Sequence, residues 1–264
     1  LGEYRRGLLN DARKLDKTLL TMTVQRFVAL GLPNDARLPP DYPVPKLIVE
    51  PRKQQAVMQK FELTRSAAAP APGRLATYTP SLAIAAPVPD RLAAYTPSLA
   101  IKILALCPGA EYGTAKRWPA GYFAHVARHK INQGWQVWLF GSDKDKDIAA
   151  QINHATDDRC TDFTGRTSLA EAVDLLSLVD TVVTNDSGLM HVAAALDKTI
   201  IALYGSSDPG FTPPLNAKAQ IISLKLICSP CFKRECPLYP PEHDAHTHCL
   251  TGIPPERVLE LIAP

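Results

Sequence analysis

From Lys102 onward the apolar residues fall into short runs separated by stretches of helical spacing. KILALC (102–107) predicts a buried strand, and PGAEYGTAKRWP after it a loop. A helix is expected over 120–133, with Pro119 near its start and Gly134 just past its end. WQVWLFG (135–141) predicts a second strand and 144–153 a second helix. Thr167 or Ser168 can cap a helix through SLAEAVDLLSLV (168–179). TVVTN (181–185) then predicts a strand, LMHVAAAL (189–196) a helix and TIIALYG (199–205) a strand. QIISLKL (220–226) predicts one more strand, and PPERVLELIA (254–263) a final helix opened by Pro254 and Pro255. Alternation of this kind implies a parallel sheet with helices on both faces. Strands this apolar fit a sheet buried on both sides.

The earlier part of the chain is different. Residues 1–66 mix charged and apolar residues. In 17–32, Leu19, Leu20, Met22, Val24, Phe27, Val28 and Leu30 predict a helix with a broad apolar face, ended by Gly31 and Pro33. Residues 67–101 are rich in Ala and Pro and read as a linker. Within it RLATYTPSLAI (74–84) recurs as RLAAYTPSLAI (91–101), with ten of eleven positions identical at an offset of 17. Two copies do not make a solenoid. They read as a local duplication in a tolerant loop. The expected organisation is therefore 1–66, a 67–101 linker, and an α/β domain over 102–264.

Composition narrows the function. With 46% hydrophobic and 21% charged residues the chain is an ordinary globular protein. A net charge of +3 is too small to argue for nucleic acid, though it suits an anionic ligand. The most apolar stretch, 92–107, is interrupted by Pro97 and Lys102 and is too short to span a membrane. LGEYRRGLLNDARKLDK lacks the apolar core of a signal peptide, so a cytoplasmic location is expected.

Parallel sheets of this kind bind ligands beyond the carboxyl ends of their strands. The loops after Leu106, Phe140, Thr184 and Tyr204 are therefore the places to look. In TNDSGLMH (184–191) a strand gives way to a helix whose free N–H groups and dipole attract phosphate. Gly188 allows close approach of a ligand, and the Ser187 hydroxyl can donate to a phosphate oxygen. Asp186 suits sugar hydroxyls better than phosphate, and His191 lies one turn on. The competing interpretation is that Asp186 or Ser187 only caps the helix and His191 sits in the core. In the first loop Lys116 and Arg117 offer charge for a diphosphate between Gly109 and Gly113, or are simply solvated. Trp118 reads as a packing residue. In FGSDKD (140–145) Gly141 follows a strand, and Ser142 or Asp143 either faces a ribose or caps the next helix. YGSSDP (204–209) is Gly- and Ser-rich after a strand.

These motifs carry a family likeness. KRWP, LFGS, VTNDSGLMHVAAAL, ALYG and FTPP, in that order, together with GEYRRGLLNDARKLDK, resemble glycosyltransferase family 9, the lipopolysaccharide heptosyltransferases. The resemblance covers about 1–35 and 103–264. It implies a GT-B architecture, with two Rossmann-like domains facing each other across the active site. Only part of the first domain would be represented here, over 1–66. It implies an ADP-heptose donor, a lipopolysaccharide core acceptor and inversion at the anomeric carbon, with no required cofactor. Lys116 would contact the diphosphate and the transferred sugar. Ser187 and Gly188 would bind phosphate, Asp186 and His191 the heptose, and Asp143 the ribose. Glu111, Gly141 and Ser142 complete the expected donor-binding set. The general base is expected in a glycine-rich segment of the first domain that this chain does not show. A lipid-linked acceptor also implies peripheral contact with the inner face of the cytoplasmic membrane. Arg5 and Arg6 are either basic approaches to that acceptor or solvated surface charges. The alternatives are a non-catalytic ADP-sugar-binding fragment and another GT-B nucleotide-sugar enzyme.

Six cysteines are present, four of them within 22 residues. Cys228, Cys231, Cys236 and Cys249 are compatible with a structural zinc site, with His243, His246 or His248 as substitutes. Their irregular spacing fits free thiols or an occasional disulfide as well. A metal-stabilised interaction protein built on this loop is the third reading of the chain.

Overall fold

The structure, a computed structural model, describes residues 13–63 and 101–263. Both copies of the duplicated segment, apart from Ile101, lie outside the described residues, as do Arg5 and Arg6.

Six strands form one sheet: β1 (Ile103–Cys107), β2 (Gln136–Leu139), β3 (Thr161–Asp162), β4 (Thr181–Asn185), β5 (Thr199–Tyr204) and β6 (Ala219–Ser223). Their spatial order is β3-β2-β1-β4-β5-β6, and every pairing is parallel. The fold is therefore the Rossmann-like α/β sheet that the alternation predicts. The order reverses between β1 and β4, where Leu104 pairs with Thr181 and Cys107 with Thr184.

The period-2 geometry of a strand divides the core into two layers. Leu104 and Leu106 of β1, with Val183, Ile201 and Leu203, point into one. That layer is covered by α3 (Ala120–Asn132), α4 (Lys146–His154) and α8 (Pro255–Leu259). Ile103, Ala105 and Cys107, with Val182, Ile200 and Ala202, point into the other. There α5 (Leu169–Leu176) and α6 (Gly188–Ala195) close the sheet. Ser168 caps α5 as expected: its Oγ accepts the Glu171 N–H while the Glu171 carboxylate accepts the Ser168 N–H. Short helix α7 (His248–Thr251) precedes α8. Among the described residues no helix is long and apolar enough to cross a membrane.

Three features depart from the sequence expectations. The helix expected over 17–32 is confined to α1 (Thr23–Leu30). Its apolar face is largely uncovered, with Phe27 70% and Leu30 64% exposed, while Leu20 and Gln25 are buried. Spacing specifies a face but not the surface that covers it. β3 carries only two residues, too few for a periodic signal. Finally α2 (Pro51–Lys60), inside the 1–66 region, packs against α5 on the second layer. Val57 is buried there, Gln54 donates to Ser177 Oγ at 2.7 Å, and Lys60 pairs with Glu171 at 2.6 Å.

Candidate functional site

The loops after β1 and β4 meet at the reversal of strand order, and Asn185 joins them. Fully buried at the end of β4, it accepts the Trp118 N–H at 3.1 Å and donates to the Pro108 carbonyl at 2.8 Å. Trp118 is buried against Tyr122 and Phe123 and donates its indole N–H to the Ile253 carbonyl at 3.0 Å. It is thus the packing residue that was expected. These contacts fix the segment carrying Lys116 and Arg117 over the start of α6.

That start is open. Ser187 occupies the N-cap position, but no side chain caps the helix. The Ser187 hydroxyl lies 3.4 Å from Thr184 Oγ1. As the first two helical residues, Gly188 and Leu189 have N–H groups with no acceptor inside the helix. A Cβ added at Gly188 would meet nothing within 4 Å. The protein's own packing therefore does not require glycine here, whereas close approach of a ligand would. The simple capping interpretation fails, because Asp186 is used elsewhere. It is buried, its carboxylate accepts from Lys116 Nζ at 2.5 Å, and Thr212 Oγ1 stands 3.5 Å from its other oxygen. Beside this pair His191 is solvent-exposed at its surface but crowded by protein. Burial holds its pKa below the ordinary imidazole value, opposed by the Asp186 charge and aided by Lys116.

The loop after β2 contains a residue that the sequence reading passed over. Residues 143–145 form a single 3₁₀ turn, in which successive side chains point about 120° apart. Asp143 therefore turns outward, is 78% exposed and pairs with Lys146 at 2.6 Å. The structure does not bring Asp143 to the cleft; Asp145 lines it instead. The Asp145 carboxylate accepts from the Ser142 N–H at 2.9 Å and the Ser142 hydroxyl at 2.8 Å, and faces Arg117 at 3.6 Å. It fills the space where a Cβ would stand at Gly109 (2.5 Å) and comes within 2.8 Å of one at Gly141. Those two glycines therefore answer to Asp145. A polar residue followed three positions later by an acid is a capping-box pattern, the signal that could have found it.

Between these loops lies a cleft of about 440 Å³, within the range of small-molecule sites. Glu111, Gly141, Ser142, Ser187 and Gly188 line it, with apolar walls from Phe140, Leu169, Ala172, Leu189 and Val192. Glu111 sits at its rim, paired with Lys144, and that hydrogen bond lowers its pKa. The cleft offers an apolar slot for a flat ring, an open helix start for an anion, and a lysine alongside.

The four clustered cysteines line a second cavity of about 200 Å³. All are free thiols. Among the described residues no three His, Cys, Asp or Glu side chains come together as a metal-ligand set. Cys228 turns to solvent, while the thiol of Cys249 is half-buried. Burial, with the three neighbouring thiols, pushes Cys249 up to about 11.

A six-stranded parallel sheet in this order, with glycine-bearing loops, a lysine and an uncapped helix start at the switch point, defines a Rossmann-like domain with an anion-receptive cleft. The comparisons then give the family. Residues 1–241 match glycosyltransferase family 9 (heptosyltransferase), and the chain belongs to that family. It is 40% identical to lipopolysaccharide heptosyltransferase 2 of Salmonella typhimurium, over 84% of this chain and 57% of that protein. It is 36% identical to lipopolysaccharide heptosyltransferase 2 of Escherichia coli, over 98% of this chain and 66% of the relative. The structure of E. coli ADP-heptose lipopolysaccharide heptosyltransferase II superposes with a TM-score of 0.72 at 34% identity, covering 99% of this chain and 66% of that one. A family 9 glycosyltransferase from Veillonella parvula shares the fold at a TM-score of 0.66 and 20% identity. The chain thus spans between 57% and 66% of the length of these two curated relatives.

Proposed function

We propose that this chain carries the donor-binding half of an inverting, heptosyltransferase II-like glycosyltransferase. It moves heptose from ADP-heptose to the lipopolysaccharide inner core, in the cytoplasm at the inner face of the cytoplasmic membrane. The observation that carries this reading is the open start of α6 at Gly188, with Lys116 held against Asp186 beside it. Relatives named as heptosyltransferases, at 36–40% identity, support the choice of donor.

In this reading the adenosine lies in the cleft and its diphosphate runs toward Ser187 and Gly188. An acceptor hydroxyl, giving up its proton to the general base expected in the first domain, attacks the anomeric carbon from the side opposite the leaving ADP. The C–O bond to phosphate breaks, and negative charge grows on the departing diphosphate. Lys116 and the N–H groups at the start of α6 stabilise that charge. One such preorganised donor is worth about 3 kcal/mol in the transition state. No metal is assigned to the step. Before the donor arrives, Asp186 neutralises Lys116, so neither the buried carboxylate nor the partly buried cation is left unpaired. When the diphosphate takes over Lys116, the Asp186 carboxylate becomes available to heptose hydroxyls, with His191 alongside.

Calorimetric titration with ADP, UDP and GDP tests the site, repeated on Lys116→Ala and Ser187→Ala. The expected result is selective binding of ADP, weakened in both variants. Equal binding of all three nucleotides, or variants that bind ADP as tightly as the parent, would overturn the assignment.

A further inference from the structure

Tyr112 stands beside two cations. Lys116 Nζ lies 5.1 Å from the centre of its ring, and the guanidinium carbon of Arg234 lies 5.2 Å from the same point. The two charges are thus no further apart than those distances taken together. Arg234 belongs to the cysteine-bearing loop, 122 positions along the chain from Tyr112, and backbone contacts hold it there. The Ala115 N–H donates to the Arg234 carbonyl at 3.0 Å, and the Tyr112 hydroxyl donates to the Phe232 carbonyl at 2.8 Å. The Phe232 N–H in turn donates to the Ser206 carbonyl at 2.7 Å, tying the loop to the end of β5. A Cβ on Gly113 would stand 2.3 Å from the Arg234 carbonyl oxygen and 2.7 Å from its Cα. The loop can close on the Lys116 segment only because residue 113 is glycine.

The charges around this point leave Arg234 over. Lys116 is paired with Asp186, Arg117 faces Asp145, and Glu111 is held by Lys144. Among the described residues the Arg234 guanidinium has no hydrogen bond or close ion pair; it lies on the Tyr112 ring, and its charge acts on the Glu111 carboxylate from further off. An exposed ring contact of this kind offsets only part of the cost of an unpaired charge. Two cations fastened to one segment repel, and an anion between them removes that cost. A guanidinium fork can also grip a phosphate through two oxygens, which a lysine cannot.

We propose that Arg234 is a second cation on the terminal phosphate of the nucleoside diphosphate, acting with Lys116. The proposal rests on the donor-site reading above. It gives the loop between β6 and α7 a function: it delivers a positive charge to the leaving group from outside the strand-end loops. It also predicts discrimination. The terminal phosphate of ADP meets both cations, whereas AMP lacks that phosphate and does not reach Arg234.

The test is calorimetric titration of the parent, Arg234→Gln, Arg234→Lys and Lys116→Ala with ADP and with AMP. A thermal melt of each variant checks the fold. Arg234→Gln should bind ADP about tenfold more weakly, the loss of one charge-assisted contact at an exposed site, and bind AMP as the parent does. Arg234→Lys should fall between, since it keeps the charge and loses the fork. If Arg234→Gln binds ADP normally while Lys116→Ala does not, this inference fails and the donor site stands. Equal losses for ADP and AMP would show a structural effect on the whole cleft and would also overturn it. A parent that binds no ADP overturns both readings.

Discussion

Replacing Gly188 with alanine separates what the fold needs from what a ligand needs. The added Cβ meets nothing within 4 Å, and the glycine does not occupy the left-handed region, so the change introduces neither a clash nor strain. Removing the backbone freedom of glycine in the unfolded chain should then stabilise the protein by about 0.4–1 kcal/mol. For a chain of this size that raises Tm by about 1–4 °C. The same methyl group occupies the space through which an anion would reach the N–H groups of Gly188 and Leu189. Losing one charge-assisted hydrogen bond there costs about 1.5–3 kcal/mol, or roughly 10- to 150-fold in Kd for ADP. Thermal denaturation and ADP calorimetry on one preparation read both quantities. Gly141→Ala is the control, because its Cβ would press on Asp145 at 2.8 Å and should lower Tm. If Gly188→Ala binds ADP like the parent, the space at the start of α6 is not where the diphosphate lies. If it melts well below the parent, the glycine serves packing and not a ligand.

Two further outcomes follow from the charges. Glu171 is pulled down to about 2, first by its hydrogen bond from Lys60 and then by the Ser168 N–H. A depressed carboxylate contributes stability that is complete above its unfolded pKa near 4.5 and is lost as pH falls toward 2. Glu171→Gln should therefore flatten the dependence of Tm on pH within that window and leave the slope above pH 5 unchanged, a result read by acid-range thermal melts. The thiols should react in a fixed order, followed by mass spectrometry after brief iodoacetamide treatment of the native protein. Exposed Cys228 should react first, together with Cys236, whose thiol is lowered by backbone N–H groups despite the opposing effect of burial. Cys107, which burial pushes up to about 12, and Cys160, pushed up to about 11, should react only on unfolding.

Much of the sheet domain was legible along the chain. The strands from KILALC to QIISLKL, the capped start of α5 and the Pro119 and Gly134 boundaries of α3 lie where period and capping residues place them. The family motifs also fall in loops that the structure gathers around one cleft, because strand ends and helix starts are set within a few residues of sequence. Tertiary structure decided which side chains meet. The pairing of Lys116 with Asp186 spans 70 positions, and the contact of Arg234 with Tyr112 spans 122. No local pattern encodes separations of that kind. The 3₁₀ turn after β2 exchanged Asp143 for Asp145 at the cleft, since two residues of winding separate the directions of the two acids. Apolar spacing in α1 likewise predicted a face, but packing left Phe27 and Leu30 uncovered. Sequence alone determined the elements and the ends from which a site could be built. The directions of the side chains, and the partners that satisfy them, came from folding distant strand ends onto one edge of the sheet.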